Sequence, residues 1–207
     1  MRLFDPPATQ NLPSMRSDSG HTTSVWMDTT DPQDVPRVTG DMRTNVCIVG
    51  AGISGMTTAY LLARAGRAVI VIDDGQIGGG ETGRTTAHIT AALDDRYSEI
   101  EKLHGETGAR YAAESHMAAI DRIEAIASLE DIDCDFERVD GYLFLGAGEK
   151  KNILERELEA AHRAGLENVE LLDRAPIDFW DTGPALRFPR QAQFHPLKYL
   201  NGLARAI

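Results

Sequence analysis

Asn45-Val46-Cys47-Ile48-Val49-Gly50-Ala51-Gly52-Ile53-Ser54-Gly55 carries the pattern on which the reading of this chain turns. Residues 45–49 form the short apolar run that a parallel strand needs when both of its faces are covered. The six residues after it fit Gly-x-Gly-x-x-Gly. Met56–Ala65 then offers good helix formers, with apolar positions at Ala59, Leu62 and Ala63 and a stop at Gly66. Ala68–Ile72 is a second apolar run. Strand, helix and strand within about thirty residues form a βαβ unit, whose crossover is expected to be right-handed.

Each glycine has a physical role in such a unit. Gly50 permits the tight turn out of the strand, and Gly52 leaves the backbone open to a pyrophosphate. Gly55 lets helix and strand pack closely. The phosphates are expected over free N–H groups at the positive end of the helix. Asp73 ends the second strand at the distance expected of a carboxylate that binds a ribose. An acid there repels the 2′-phosphate of NADP. Ala59 and Gly66 supply small residues where the helix is expected to cross the sheet. The fingerprint predicts a dinucleotide, but alone does not separate FAD from NAD.

Working outward, residues 1–40 hold many Pro, Asp, Ser and Thr residues without an apolar period, and are expected to be a flexible leader. Within it, Ser24-Val25-Trp26-Met27 could dock on the domain surface. Order is expected from Thr44. Gln76–Thr90 is loop-like, and Asp94–Ser128 has helical spacing that Gly105 and Gly108 should break in two. Phe136–Leu145 is expected to be extended, Lys150–Arg163 helical, Val169–Leu172 a short strand and Ala185–His195 extended or a hairpin. Pro196 opens a last helix, where its missing N–H costs nothing.

The net charge of −11 argues against a general grip on nucleic acid or on anionic membrane, since both need excess positive charge. No run approaches the ~20 apolar residues that span a bilayer. The two cysteines, Cys47 and Cys134, form no CxxC pair or Cys/His cluster, so no metal site is expected. Cys47 is expected to be buried packing. Free thiols and the absence of a signal-peptide pattern at the start suggest a cytoplasmic protein.

Gly78-Gly-Gly-Glu-Thr-Gly-Arg-Thr-Thr-Ala-His88 can bring backbone N–H groups, three hydroxyls and a guanidinium to a cofactor. From here the chain resembles the D-amino-acid-oxidase-like FAD-dependent oxidoreductases. It is most similar to a bacterial branch whose members often carry a C-terminal Rieske domain. The stretches SVWMDTT, VCIVGAGISGMTTAYLLARAG, GGGETGRTTAHIT, DCDFERVDGYLFL and LRFPRQAQFHPLKYLNGLARAI carry the likeness, from about Thr23 to the last residue. The resemblance implies that Gly50, Gly52, Ile53, Ser54 and Gly55 hold the FAD pyrophosphate. It gives Asp73 the adenosine ribose, with Asp74 beside it. Thr82, Arg84, Thr85 and Thr86 would line the cofactor between phosphates and flavin, Arg84 having an interdomain ion pair as its alternative role. Family members run on beyond this length, so the chain is expected to be an N-terminal fragment. A Rieske [2Fe-2S] centre would belong to a longer parent and not to this chain.

The fold expected is α/β: an incomplete Rossmann-like FAD-binding layer with an inserted α+β substrate layer. Its divisions are a leader at 1–40, the βαβ unit and loop at 41–95, and a helical segment at 96–128. A partial substrate-binding layer at 129–195 and a helix returning to the FAD domain at 196–207 follow. The resemblance implies oxidation of an amine or amino-acid-like small molecule by hydride transfer to flavin, with an unspecified electron acceptor. An NAD-dependent dehydrogenase and a non-catalytic nucleotide-binding fragment are the alternatives. No catalytic acid or base stands out. His88 is expected to make ordinary loop hydrogen bonds, and His195 to cap or pack at a strand–helix junction. Asp94-Asp95 and Glu155–Glu159 are expected to be solvated.

Overall fold

The computed structural model describes residues 22–146, 148–150 and 152–207. Residues 46–72 form the expected unit: β1 (Val46–Val49), α2 (Ile53–Arg64) and β2 (Val69–Ile72), preceded by a short α1 (Val25–Asp28). β1 and β2 pair in parallel, with Val46 opposite Val69 and Val49 opposite Ile72. α2 starts three residues earlier than Met56, because the chain enters it directly from the glycine turn with Gly52 as its N-cap. Gly66 does not pack where helix and sheet cross. It is exposed, at φ +74°, and provides the left-handed residue that ends the helix.

The expectation of a doubly covered sheet is corrected. Exposure alternates along β1, and Cys47 and Val49 are exposed, Val49 at 81%. Among the described residues α2 covers one face of this two-stranded sheet and no layer covers the other. An apolar strand sequence signals that both faces are meant to be dry; it does not reveal what covers them.

A second, four-stranded sheet is built around β6 (Ala185–Gln193). β4 (Glu137–Phe144) runs antiparallel along one edge of it. β3 (His88–Ile89) and β5 (Glu170–Leu172) pair with the two ends of the other edge. β6 is one strand rather than a hairpin. Its register with β4 slips between Val139 and Gly141, where Pro189 and Arg190 oppose the single residue Asp140. Arg190 takes φ +59°, and its N–H donates to the Asp140 carboxylate at 3.2 Å. A proline cannot donate to a ladder, so a bulge is where a central strand tolerates it.

The helices α3 (Tyr97–Leu129) and α4 (Asn152–Arg163) pack on this sheet around Leu154, Leu186 and Phe188. α3 bends at Gly105 (φ +73°, ψ 170°), whereas Gly108 stays helical. α5 (Pro196–Ala206) crosses back to α2, and Met56, Tyr60, Tyr199, Leu200 and Leu203 share the second core with Ile123 and Ile126 of α3. The four-stranded sheet and the βαβ unit are therefore joined through apolar packing.

One acid expected in solvent is buried. Glu157 is 1% exposed, and its carboxylate accepts from Tyr97 N at 2.7 Å and Ser98 N at 3.0 Å. It caps α3 from another helix, because the N-cap Arg96, at φ +58°, gives no side-chain cap of its own. Glu157→Ala leaves two first-turn N–H groups buried without an acceptor and should cost about 2–3 kcal/mol of stability, measured by urea denaturation.

Candidate functional site: the glycine turn and its flanking loop

The turn out of β1 begins while the backbone is still paired. Gly50 N donates to Ile72 O at 2.8 Å, and Gly50 then takes φ +103°. Gly55 faces it from the first turn of α2, where a Cβ would lie 1.9 Å from Gly50 O. No neighbouring side chain can yield there, since the obstructing atom is backbone. That close approach aims the start of α2 at the end of the strand.

Gly52, the N-cap of α2, provides no side-chain cap. The first N–H groups of a helix have no partner within it and carry the positive end of its dipole. Thr82 comes to this end from a distant loop: Ile53 N donates to its Oγ1 at 3.2 Å. A Cβ on Gly52 would also lie 3.2 Å from that oxygen, so the absence of a side chain keeps open the space between turn and loop. Ser54 stands exposed beside it.

Asp73 is held by the loops it joins. Its Oδ2 accepts from Ala51 N at 2.7 Å and its Oδ1 from Gly75 N at 2.8 Å. A carboxylate has about four lone-pair sites, so both oxygens can still accept from ribose hydroxyls. Asp74 is exposed next to it.

The 3₁₀ turn Glu81–Arg84 follows, with Gly83 buried inside it. Arg84, half-buried, donates from Nη1 to Gly79 O at 3.0 Å. Thr85 and Thr86 are exposed, and Thr85 Oγ1 accepts from Ala87 N at 3.3 Å. His88 Nδ1 donates to Thr86 O at 3.1 Å, an ordinary loop hydrogen bond. Beyond it a cavity of about 360 Å³ is lined by His88, Thr90, Asp94, Tyr142 and Gln191. Gln191 is buried and accepts from Thr90 Oγ1 at 3.0 Å and Ala91 N at 2.5 Å, which fixes one wall.

The structure thus brings Gly50, Gly52, Ile53, Gly55, Asp73 and Thr82 together. Arg84, Thr85 and Thr86 continue the same segment. It also adds residues that motif reading missed. Ala51 N orients Asp73, and a segment assigned to the leader holds the loop. Ser24 Oγ donates to Gly83 O at 2.5 Å, and Trp26 Nε1 to Thr85 O at 2.8 Å. Docking of Ser24–Met27 was legible in its apolar residues. Its target, nearly sixty residues away, had no local signal. His195 is 4% exposed and caps α5, its Nδ1 accepting from Lys198 N at 3.3 Å. Its Nε2 therefore carries the proton and faces the hydroxyls of Thr29 at 3.0 Å and Thr30 at 3.1 Å.

The arrangement fits a dinucleotide: an open cradle at Gly52, a helix start that Gly52 leaves without a cap and whose first N–H meets the Thr82 hydroxyl, and an oriented carboxylate at the end of β2. A parallel βαβ unit with these features defines a Rossmann-type dinucleotide-binding protein. Residues 45–207 match the family DAO, FAD dependent oxidoreductase, and the chain belongs to that family. FAD is the dinucleotide this family uses, which sets the NAD reading aside. The putative Rieske 2Fe-2S iron-sulfur protein YhfW of Bacillus subtilis is 36% identical over 184 residues, covering 89% of this chain and 36% of that protein. The gamma-glutamylputrescine oxidoreductase of Escherichia coli is 32% identical over 170 residues, covering 79% and 39%. The solved L-amino acid deaminase from Proteus myxofaciens shares the fold, with a TM-score of 0.64 at 16% identity over 86% of this chain and 39% of that one. The chain spans less than half the length of each. Among the described residues no helix is long and apolar enough to cross a membrane, and no His/Cys/Asp/Glu group could hold a metal ion.

Two outcomes follow from this geometry. Gly55→Ala forces the helix away from Gly50 and should cost about 1–3 kcal/mol, read from thermal or urea unfolding. His195 is shifted below its ordinary value chiefly by burial and secondly by the Lys198 charge, with Asp135 opposing. The unfolded chain therefore takes up the proton more readily. Stability should fall as pH drops below about 6.5, and stop falling from this cause below the depressed folded value. His195→Asn, which retains a capping side chain, should flatten that part of a stability-against-pH curve.

Proposed function

We propose that this chain forms the FAD-binding part of an oxidoreductase that oxidises an amine or amino-acid-like substrate. The observation that carries the reading is the convergence of Gly52, Thr82 and Asp73 on the open start of α2. The first-turn N–H groups of α2 would hold the pyrophosphate, and Asp73 would accept from the adenosine ribose. Thr82, Arg84, Thr85 and Thr86 would follow the cofactor towards its flavin. When bound, FAD supplies a hydride acceptor, and the protein's part is binding, orientation and exclusion of water.

The cavity that begins at His88 lies just beyond that segment in the chain. Its volume is in the range of small-molecule sites. The substrate class is supported by the E. coli relative, named for gamma-glutamylputrescine, and by the amino acid deaminase that shares the fold. In a longer protein of the kind named for a Rieske centre, that centre would be the electron acceptor.

The deciding measurement adds FAD to the purified chain and follows the visible flavin bands, with NADH as competitor. Shifted bands that NADH leaves unchanged are the expected outcome. An unaltered FAD spectrum together with NADH binding would overturn the cofactor assignment. Asp73→Ala removes charge-assisted hydrogen bonds and should weaken FAD binding about tenfold or more.

A further inference from the structure

The segment that carries Thr82–Thr86 has little structure of its own. It contains one 3₁₀ turn and an exposed stretch before β3. Much of what fixes it comes from α1. Ser24 Oγ accepts from Met27 N at 3.2 Å while donating to Gly83 O, so one hydroxyl both caps α1 and ties the loop to it. Trp26 Nε1 donates to Thr85 O two residues further along. The Met27 methyl packs against Gly83, where a Cβ would lie 2.7 Å from it.

The other end of α1 is anchored independently. Thr29 and Thr30 meet the buried His195, and the Trp26 ring packs edge-on against that imidazole with centroids 5.0 Å apart. His195 belongs to the start of α5, whose Leu200 lies in the same core as Met56 and Tyr60 of α2. Trp26 therefore touches both the loop and the start of the helix that backs α2. Its indole N–H is the directional part of that link.

We infer that Ser24–Thr30 is a strap that positions the Thr82–Thr86 segment against the start of α2, with Trp26 as its principal positioning residue. Trp26 then tunes FAD affinity through the Thr85 carbonyl without touching the cofactor. The inference rests on the FAD reading for the affinity, and on the geometry alone for the strap.

The test uses the whole chain and Trp26→Phe, which retains a ring against His195 and loses the N–H. Amide hydrogen exchange is measured without cofactor, and FAD binding by flavin fluorescence. The expected result is faster exchange confined to residues 83–87, unchanged thermal unfolding, and FAD affinity about fivefold weaker, as for loss of one hydrogen bond. Ser24→Thr, which retains the hydroxyl, should behave as wild type, and Ser24→Ala should speed exchange at residues 83–87 as Trp26→Phe does, and at Met27 as well through loss of the α1 cap. Unchanged exchange at residues 83–87 overturns the strap, as does faster exchange throughout the chain with a lowered unfolding temperature. If the wild-type chain takes up no FAD, the functional reading fails, while the exchange data still decide the strap. Wild-type FAD affinity in Trp26→Phe, with the loop exchanging faster, overturns the link to the cofactor.

Discussion

The carbonyl oxygen of Gly50 and the first turn of α2 approach so closely that no side chain fits between them. A Cβ at position 55 would stand 1.9 Å from that oxygen, well inside any real contact. This contact directs the helix axis at the end of β1. The direction of the axis places unpartnered N–H groups beside Gly52. Asp73 accepts from Ala51 N within the same turn, and Thr82 accepts from Ile53 N beside Gly52, where a side chain would crowd its hydroxyl. The site is therefore a consequence of backbone packing more than of any polar residue.

Supporting interactions come from outside the βαβ unit. α5 gives α2 an apolar seat, α1 holds the loop after β2, and Glu157 of α4 caps the long helix α3. Each joins elements far apart in sequence. The contacts of Ser24 and Glu157 also satisfy backbone groups, the Gly83 carbonyl and the first N–H groups of α3.

What was legible in the sequence depended on range. The glycine turn, the two parallel strands and the helix between them are local patterns, and all are present in the expected order, the helix starting three residues early. His195 announced its cap by preceding Pro196, and Gly105 announced the bend in α3. The exposure of Cys47 was not legible, because strand composition reports apolar faces and not the layers that cover them. Glu157 lay in an acidic run, and nothing in its neighbours marked it as the acid that turns inward. Trp26 and Ser24 stood in a stretch rich in polar residues and proline, whose partners are a carbonyl in a later loop and a histidine on the far side of the chain. The bulge at Pro189 and Arg190 appears only once β4 lies beside β6.

The span between the strap and its anchor has a bearing on how the chain is made. Thr30 and His195 are separated by 165 positions, and Leu200 and Leu203, which seat α2, come later still. Contacts this distant in sequence cannot form until the intervening chain exists, and synthesis delivers a chain from its N-terminus. On the ribosome, the nucleotide-binding motif therefore emerges before the residues of α5 that give its helix an apolar seat.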